Sequence, residues 1–231
     1  MPEMAIIDAD NMMKLPPRAT QASGYDVLTH AVEAYVSTFA TEYTNGMCRD
    51  ATKMVFDYLP RAYRSAFHDA KPDPVAREKM ANASAIAGIA FANAFLGINH
   101  SLSHKLGGWF HIPHGRANGI LLPYVMSFNA GCSESLTPVA KRYAKIARLL
   151  GLEATSVRQS ALNLIRTARR YVEQLNIPSS IQAAGVDKAE FEAEAETMAE
   201  AALADRCTAT NPRLCSKEEI LQVSHKAYIG R

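Results

Sequence analysis

Four of the chain's seven histidines fall within fifteen residues, in the run Asn99-His100-Ser101-Leu102-Ser103-His104-Lys105-Leu106-Gly107-Gly108-Trp109-Phe110-His111-Ile112-Pro113-His114. Neutral imidazole is the commonest protein metal ligand. Upstream, Asp26-Val27-Leu28-Thr29-His30 sets a carboxylate and an imidazole four residues apart. On a helix this spacing stacks the two on one face. The two segments together offer a divalent cation one oxygen and several nitrogens. Apolar residues (Leu96, Ile98, Leu102, Leu106, Trp109, Phe110, Ile112) surround the histidines, so part of the cluster is expected to be buried and to need polar partners. A nitrogen-rich set with one carboxylate suits Fe(II) or Zn(II) better than Mg or Ca, which prefer oxygen shells. There is no His-Glu-x-x-His, which argues against a zinc protease. His100 and His104 could both reach one ion from a helix face. The residue pattern alone leaves open which of the four histidines bind.

The elements that must position these residues read as helices. Periodicity places helices at 21–37, with Leu28, Val32, Tyr35 and Val36 as an apolar stripe, and at 45–68, where Pro60 should break or bend the helix. Lys71-Pro72-Asp73-Pro74 reads as a linker. A long helix from Val75 to about Leu106 should deliver His100 and His104 and end at Gly107-Gly108. Further helices are expected at 114–128, interrupted by Pro123, and at 136–150, 156–175, 188–204 and 216–227. Met4–Asp8 reads as one short buried strand that something else should complete. The expected fold is an all-α body with one orphan strand, divided into residues 1–15 and a helical domain at 16–231.

Composition narrows the class of partner. In 231 residues, 48% are apolar and 21% charged, and the net charge is +2. These values suit a globular protein that binds small molecules and other subunits; neither nucleic acid nor membrane is an expected partner. Ala85–Ile98 is the most apolar stretch, shorter than the roughly 20 residues a bilayer crossing takes. Four cysteines without a Cys-x-x-Cys pair, and an N-terminus lacking a basic segment ahead of an apolar one, make a reduced, cytoplasmic setting the expectation.

Longer motifs narrow the reading further. Gly24-Tyr25-Asp26-Val27-Leu28-Thr29-His30-Ala31-Val32-Glu33 resembles the first signature of the iron-containing, group III alcohol dehydrogenases. Gly97 to Gly107, running on into Ile112-Pro113-His114-Gly115-Arg116-Ala117-Asn118, resembles the second. Asp205-Arg206-Cys207-Thr208-Ala209-Thr210-Asn211-Pro212-Arg213 resembles the third landmark. The stretch Ile86–Gly97 is most similar to the dehydrogenase half of bifunctional aldehyde–alcohol dehydrogenases. A segment those proteins usually carry after the position of Asn129 is missing here, so a single-function member fits equally.

The resemblance implies the fold of the family's helical metal-binding C-terminal domain, with Met4–Asp8 matching the last strand of an N-terminal α/β domain. It implies Asp26, His30, His100 and His114 as metal ligands, His104 beside the nicotinamide and substrate, and Phe91 lining the substrate pocket. Cys207 would lie near the active site, although a packed small hydrophobe is an equal reading. Implied cofactors are Fe(II), with Zn(II) in some relatives, and NAD or NADP. The implied reaction interconverts a primary alcohol and its aldehyde, with the metal as Lewis acid on the substrate oxygen. No Gly-Gly-Gly-Ser run, the family's phosphate-binding stretch, occurs, so the chain is expected to be inactive alone. A homo-oligomer, dimer or filament, is expected. The alternatives are a catalytically incomplete metal-binding or assembly module, and a glycerol-type or 1,3-propanediol-type dehydrogenase of the same superfamily.

Overall fold

The computed structural model describes residues 4–230, and every regular element among them is helical. Nine α-helices follow in order among these residues: α1 (Pro17–Val36), α2 (Glu42–Arg64), α3 (Pro74–Ala94), α4 (Ile98–Phe110), α5 (His114–Ala130), α6 (Val139–Leu149), α7 (Val157–Gln174), α8 (Lys188–Leu203) and α9 (Lys217–Ile229). Single 3-10 turns lie at Ala9–Met12 and Thr208–Thr210. Local chemistry sets most starts. Thr41 and Thr44 form a capping box on α2, as do Ser216 and Glu219 on α9. Asp73, Ser156 and Asp187 accept first-turn N–H groups of α3, α7 and α8. Gly230, at φ 85°, closes α9 in the left-handed region.

Several expectations are corrected. The single helix expected over Val75–Leu106 is two, α3 and α4, bent by 108° across Phe95–Gly97. Phe95 takes φ 59°, and the freed Ala94 carbonyl accepts from the Ser37 hydroxyl. The helix does not end at Gly107-Gly108. It runs on to Phe110, and His111 supplies the left-handed cap, because Trp109 and Phe110 have partners to reach. Trp109 Nε1 donates to Glu194 Oε2 at 2.7 Å, and Phe110 packs against Phe191. These contacts offset the roughly 1 kcal/mol that each helical glycine costs. Finally, Met4–Asp8 forms no strand, and Met4 and Ile6 are 79% and 86% exposed. A strand needs a hydrogen-bonding neighbour, and no strand exists among the described residues to be one; Met1–Glu3 lie outside them. Of the break or bend expected at Pro60, the break does not occur, since α2 continues through it to Arg64, and the interruption expected at Pro123 is likewise absent, since α5 runs unbroken from His114 to Ala130.

Two apolar clusters form the core. One gathers Tyr25, Leu28 and Val32 of α1 with residues of α2, α3, α6 and α7, including Val55, Leu59, Tyr143 and Tyr171. The other gathers Leu102 and Leu106 of α4 with α8 and α9 around Phe191 and Met198. Helix α5 serves both, through Leu122 and Met126 on one side and Ile120, Leu121 and Tyr124 on the other. The metal-ligating residue types are carried by α1, α4 and α5, along the seam between the clusters. No single helix among the described residues is long and apolar enough to cross a membrane.

Candidate metal centre

Helix α1 carries Asp26, His30 and Glu33 at spacings of four and three, hence on one face. The Tyr25 hydroxyl donates to the Ala168 carbonyl at 3.0 Å and ties α1 to α7. The start of α5 lies directly against the α1 backbone, since a Cβ on Gly115 would come within 2.1 Å of the Ala22 carbonyl oxygen. Only glycine permits this approach, and it sets His114 beside Asp26. The sharp bend after α3 brings the first turn of α4, with His100, over the same face.

The donor atoms converge. His100 Nε2 and His114 Nε2 each lie 3.5 Å from Asp26 Oδ1, and His30 Nδ1 lies 3.8 Å from Asp26 Oδ2. Donors in a tetrahedron at about 2.1 Å from a cation would be about 3.4 Å apart, near the separation of each imidazole from Asp26; Asp26, His30 and His100 bring ligand atoms within 4.8 Å of one another, and His114 joins them through Asp26. The His30 ring stacks between Phe91 and His100, with centroids 4.4 and 4.5 Å away. Asn118, one turn beyond His114, aims its amide nitrogen into the cluster. That nitrogen lies 2.5 Å from Asp26 Oδ1, 3.1 Å from His114 Nε2 and 3.3 Å from His100 Nε2. The two flanking Nδ1 atoms are held elsewhere: His100 by Glu33 Oε2, and His114 by the Ser103 hydroxyl at 3.3 Å.

The charge balance favours a cation. Burial pushes the His30 pKa down to about 4, against the attraction of Asp26, and burial also lowers that of His114. For His100 burial opposes the charge, but hydrogen bonds to Asp26 and Glu33 outweigh it and push the pKa up to about 9. For Asp26, burial is likewise outweighed, by the His100 hydrogen bond and the three imidazoles, so its carboxyl falls below the usual range. Asp26 thus faces a partly buried, nitrogen-lined focus, with Glu33 behind the His100 ring, and the cluster lowers its energy by taking up positive charge. The residues present fit a transition metal.

His104 and His111 stand apart from this focus. His104 is 42% exposed, its ring centroid is 5.5 Å from that of His114, and its Nδ1 bonds Asp205 Oδ2 at 3.0 Å. His111 is exposed at the end of α4. Cys207 is half-buried and shares a second grouping with His104 and Asp205. A cation is already there: the Lys105 ammonium donates to Asp205 Oδ2 at 3.0 Å. Burial works against the Asp205 charge, but the Cys207 N–H, His104 and Lys105 together hold its carboxyl well below the usual range. Burial, then Asp205, pushes the Cys207 thiol up to about 12.

Glu33, Ser103, Asn118 and Asp205 went unassigned from sequence. Two of them carried a signal in their spacing: Glu33 is three residues from His30, and Asn118 four from His114. Asp205 is brought to His104 only by tertiary folding.

Comparison with known proteins shows what this chain is similar to. The C-terminal part of the Fe-containing alcohol dehydrogenase family matches residues 20–228. The chain is 43% identical over 241 residues to the bifunctional aldehyde-alcohol dehydrogenase of Escherichia coli K12, covering all of this chain and 27% of that protein. It is 37% identical to the NADPH-dependent butanol dehydrogenase of Clostridium saccharobutylicum, covering 99% of this chain and 56% of that one. The iron-containing alcohol dehydrogenase of Thermococcus thioreducens superimposes with a TM-score of 0.87 at 38% identity, covering all of this chain and 56% of that structure. The chain therefore spans between about a quarter and just over half of these relatives. It belongs to the iron-containing alcohol dehydrogenase family, whose C-terminal domain its helices form.

Proposed function

We propose that the chain is the metal-binding half of an NAD(P)-dependent alcohol dehydrogenase that interconverts primary alcohols and aldehydes. Asp26, His30, His100 and His114 would hold Fe(II), and Zn(II) suits the same donors. The carrying observation is the convergence of His100 Nε2 and His114 Nε2 on one oxygen of Asp26, each at 3.5 Å, with His30 alongside. A cation bound there supplies Lewis acidity to the oxygen of an alcohol or aldehyde.

The chain's own residues do the rest. Glu33 and Ser103 orient two of the imidazoles, and Phe91 closes one side of the donor set by stacking on His30. His104 stands on the open side, its Nδ1 on Asp205, so Nε2 is the ring atom left to hold or pass a proton near the substrate. Cys207 lies beside that histidine as a protonated thiol and forms a neutral wall. The region of the relatives that this chain does not span would bring the nicotinamide cofactor, so alcohol-dependent NAD(P) reduction is expected only when that region is present. Elemental analysis of anaerobically purified protein tests the reading. About one Fe or Zn per chain is expected, falling sharply in His100→Ala and His114→Ala; no bound metal, or unchanged content in both variants, would overturn it.

A further inference from the structure

The first turn of α4 lacks a cap of its own. Its N-cap residue is Gly97, which has no side chain, and the first N–H groups of a helix have no intrahelical acceptor. Side chains from distant segments supply the acceptors. Asn211 Oδ1 accepts from Ile98 N at 3.3 Å, Glu33 Oε1 from Asn99 N at 2.8 Å, and Glu33 Oε2 from His100 N at 3.3 Å. Glu33 reaches this point from α1 and is only 3% exposed. Its Oε2 also accepts from the Nδ1 of the His100 ring. A Cβ on Gly97 would sit 2.7 Å from Asn211 Oδ1 and 2.8 Å from Glu33 Oε1, so the bare glycine is what admits both acceptors.

A buried carboxylate is costly, and capping alone is done as well by a neutral Ser or Asn. What a carboxylate adds is that it can only accept. Facing Nδ1, it requires the ring proton to be on that atom. In a neutral ring this leaves the Nε2 lone pair free, and Nε2 is the atom directed at Asp26.

We propose that Glu33 is a positioning residue of the metal centre: one buried carboxylate that caps α4 and holds His100 as the Nδ1–H tautomer, with Nε2 aimed at the cation. The inference rests on the reading of His100 as a metal ligand. Histidine ligands commonly donate their second ring nitrogen in this way, and losing that partner lowers metal affinity about 10- to 100-fold.

Glu33→Gln removes the carboxylate from the ring and one of its two backbone contacts, and melting of the metal-free protein reads the loss of capping apart from the loss of metal affinity. Glutamine keeps its oxygen for Asn99 N, while its NH2 group in the place of Oε2 gives up the acceptor for His100 N and favours a ring protonated on Nε2, closed to metal. Zinc affinity would be measured by chelator competition for wild type, Glu33→Gln and His100→Ala, with circular dichroism and melting of each metal-free protein. The 15N–1H spectrum of the His100 ring would be recorded in the zinc-loaded wild type. Expected results are a folded Glu33→Gln with a midpoint within about 5 °C of wild type, zinc binding about 10- to 100-fold weaker, and a wild-type ring protonated on Nδ1. Equal zinc affinity in wild type and Glu33→Gln overturns the inference, as does a wild-type His100 ligated through Nδ1. Should Glu33→Gln not fold, the wild-type ring spectrum decides. Zinc binding that is lost in His100→Ala but intact in Glu33→Gln defeats this inference alone. A wild-type chain that takes up no zinc defeats the metal-centre reading and the inference with it.

Discussion

Replacing Gly115 with alanine tests whether a backbone-to-backbone contact places His114. The added Cβ would lie 2.1 Å from the Ala22 carbonyl oxygen and 2.5 Å from its carbon. Comfortable contact lies near 3.5 Å, so the two helices must part by about 1.4 Å. Helix α1 is held on its far side by the Tyr25–Ala168 hydrogen bond and by Leu28 and Val32 in the core. The start of α5 is therefore the side that yields. Metal–ligand distances tolerate about 0.2 Å, so a shift of that size takes His114 out of reach of an ion shared with Asp26. Zinc affinity in Gly115→Ala should fall as far as in His114→Ala. Overpacking should also cost the metal-free chain about 1–3 kcal/mol. Gly108→Ala is the control, because its Cβ meets nothing within 4 Å on the exposed side of α4. Alanine exceeds glycine in a helix by about 1 kcal/mol, so that variant should be at least as stable as wild type, with unchanged zinc affinity. Urea denaturation of the metal-free proteins and chelator competition read both quantities. A Gly115→Ala protein with wild-type stability and zinc affinity would refute the reasoning.

His104 touches the candidate site without converging on it. In a protein carrying the nucleotide-binding region as well, His104→Ala should lower kcat about 100-fold or more at unchanged metal content; loss of metal would show that the wrong histidines were assigned. Asp205→Asn should leave zinc affinity within about twofold, because Asp205 meets His104 and Lys105 rather than the donor set. A large drop in metal binding would contradict that separation. Cys207, with its thiol pushed up to about 12, carries only a small thiolate fraction at pH 8–10, and the thiolate is the reactive form. Its alkylation by iodoacetamide in the folded chain should rise about tenfold per pH unit between pH 8 and 10, far below the rate of a free cysteine of pKa about 8.5. Peptide mapping by mass spectrometry follows it, and free-cysteine reactivity at pH 8 would refute the burial that causes the shift.

Part of this protein follows from local sequence. Asp26 and His30 had to share a face once Pro17–Val36 was helical, because 3.6 residues per turn leaves no other arrangement. The later helices fall within about three residues of the ends read from periodicity and caps, since Ser156, Asp187 and Ser216 act through their own neighbours. The histidine cluster marked the chemistry before any geometry was known, because imidazoles among apolar residues must find partners.

Other features depend on contacts between distant segments, and those no local pattern carries. Nothing in Ala92–Ile98 forbids a continuous helix; the break after Ala94 exists because Ser37, Glu33 and Asn211 take up the backbone groups it frees. Trp109 and Phe110 carry α4 past two glycines because α8 receives them. Residue type could not separate His104 from His100, four residues away on the same helix. Tertiary structure separates them, since His100 meets two carboxylates from α1, the buried Glu33 and the partly buried Asp26, while His104 meets Asp205 at the surface. Residue types and spacing determined that the chain would have helices, a cluster of metal-ligating residue types and a carboxylate–imidazole face. Which imidazoles share one focus was decided by packing, because convergence is a distance between helices and is set where α5 meets α1 at Gly115 and α4 turns at Gly97.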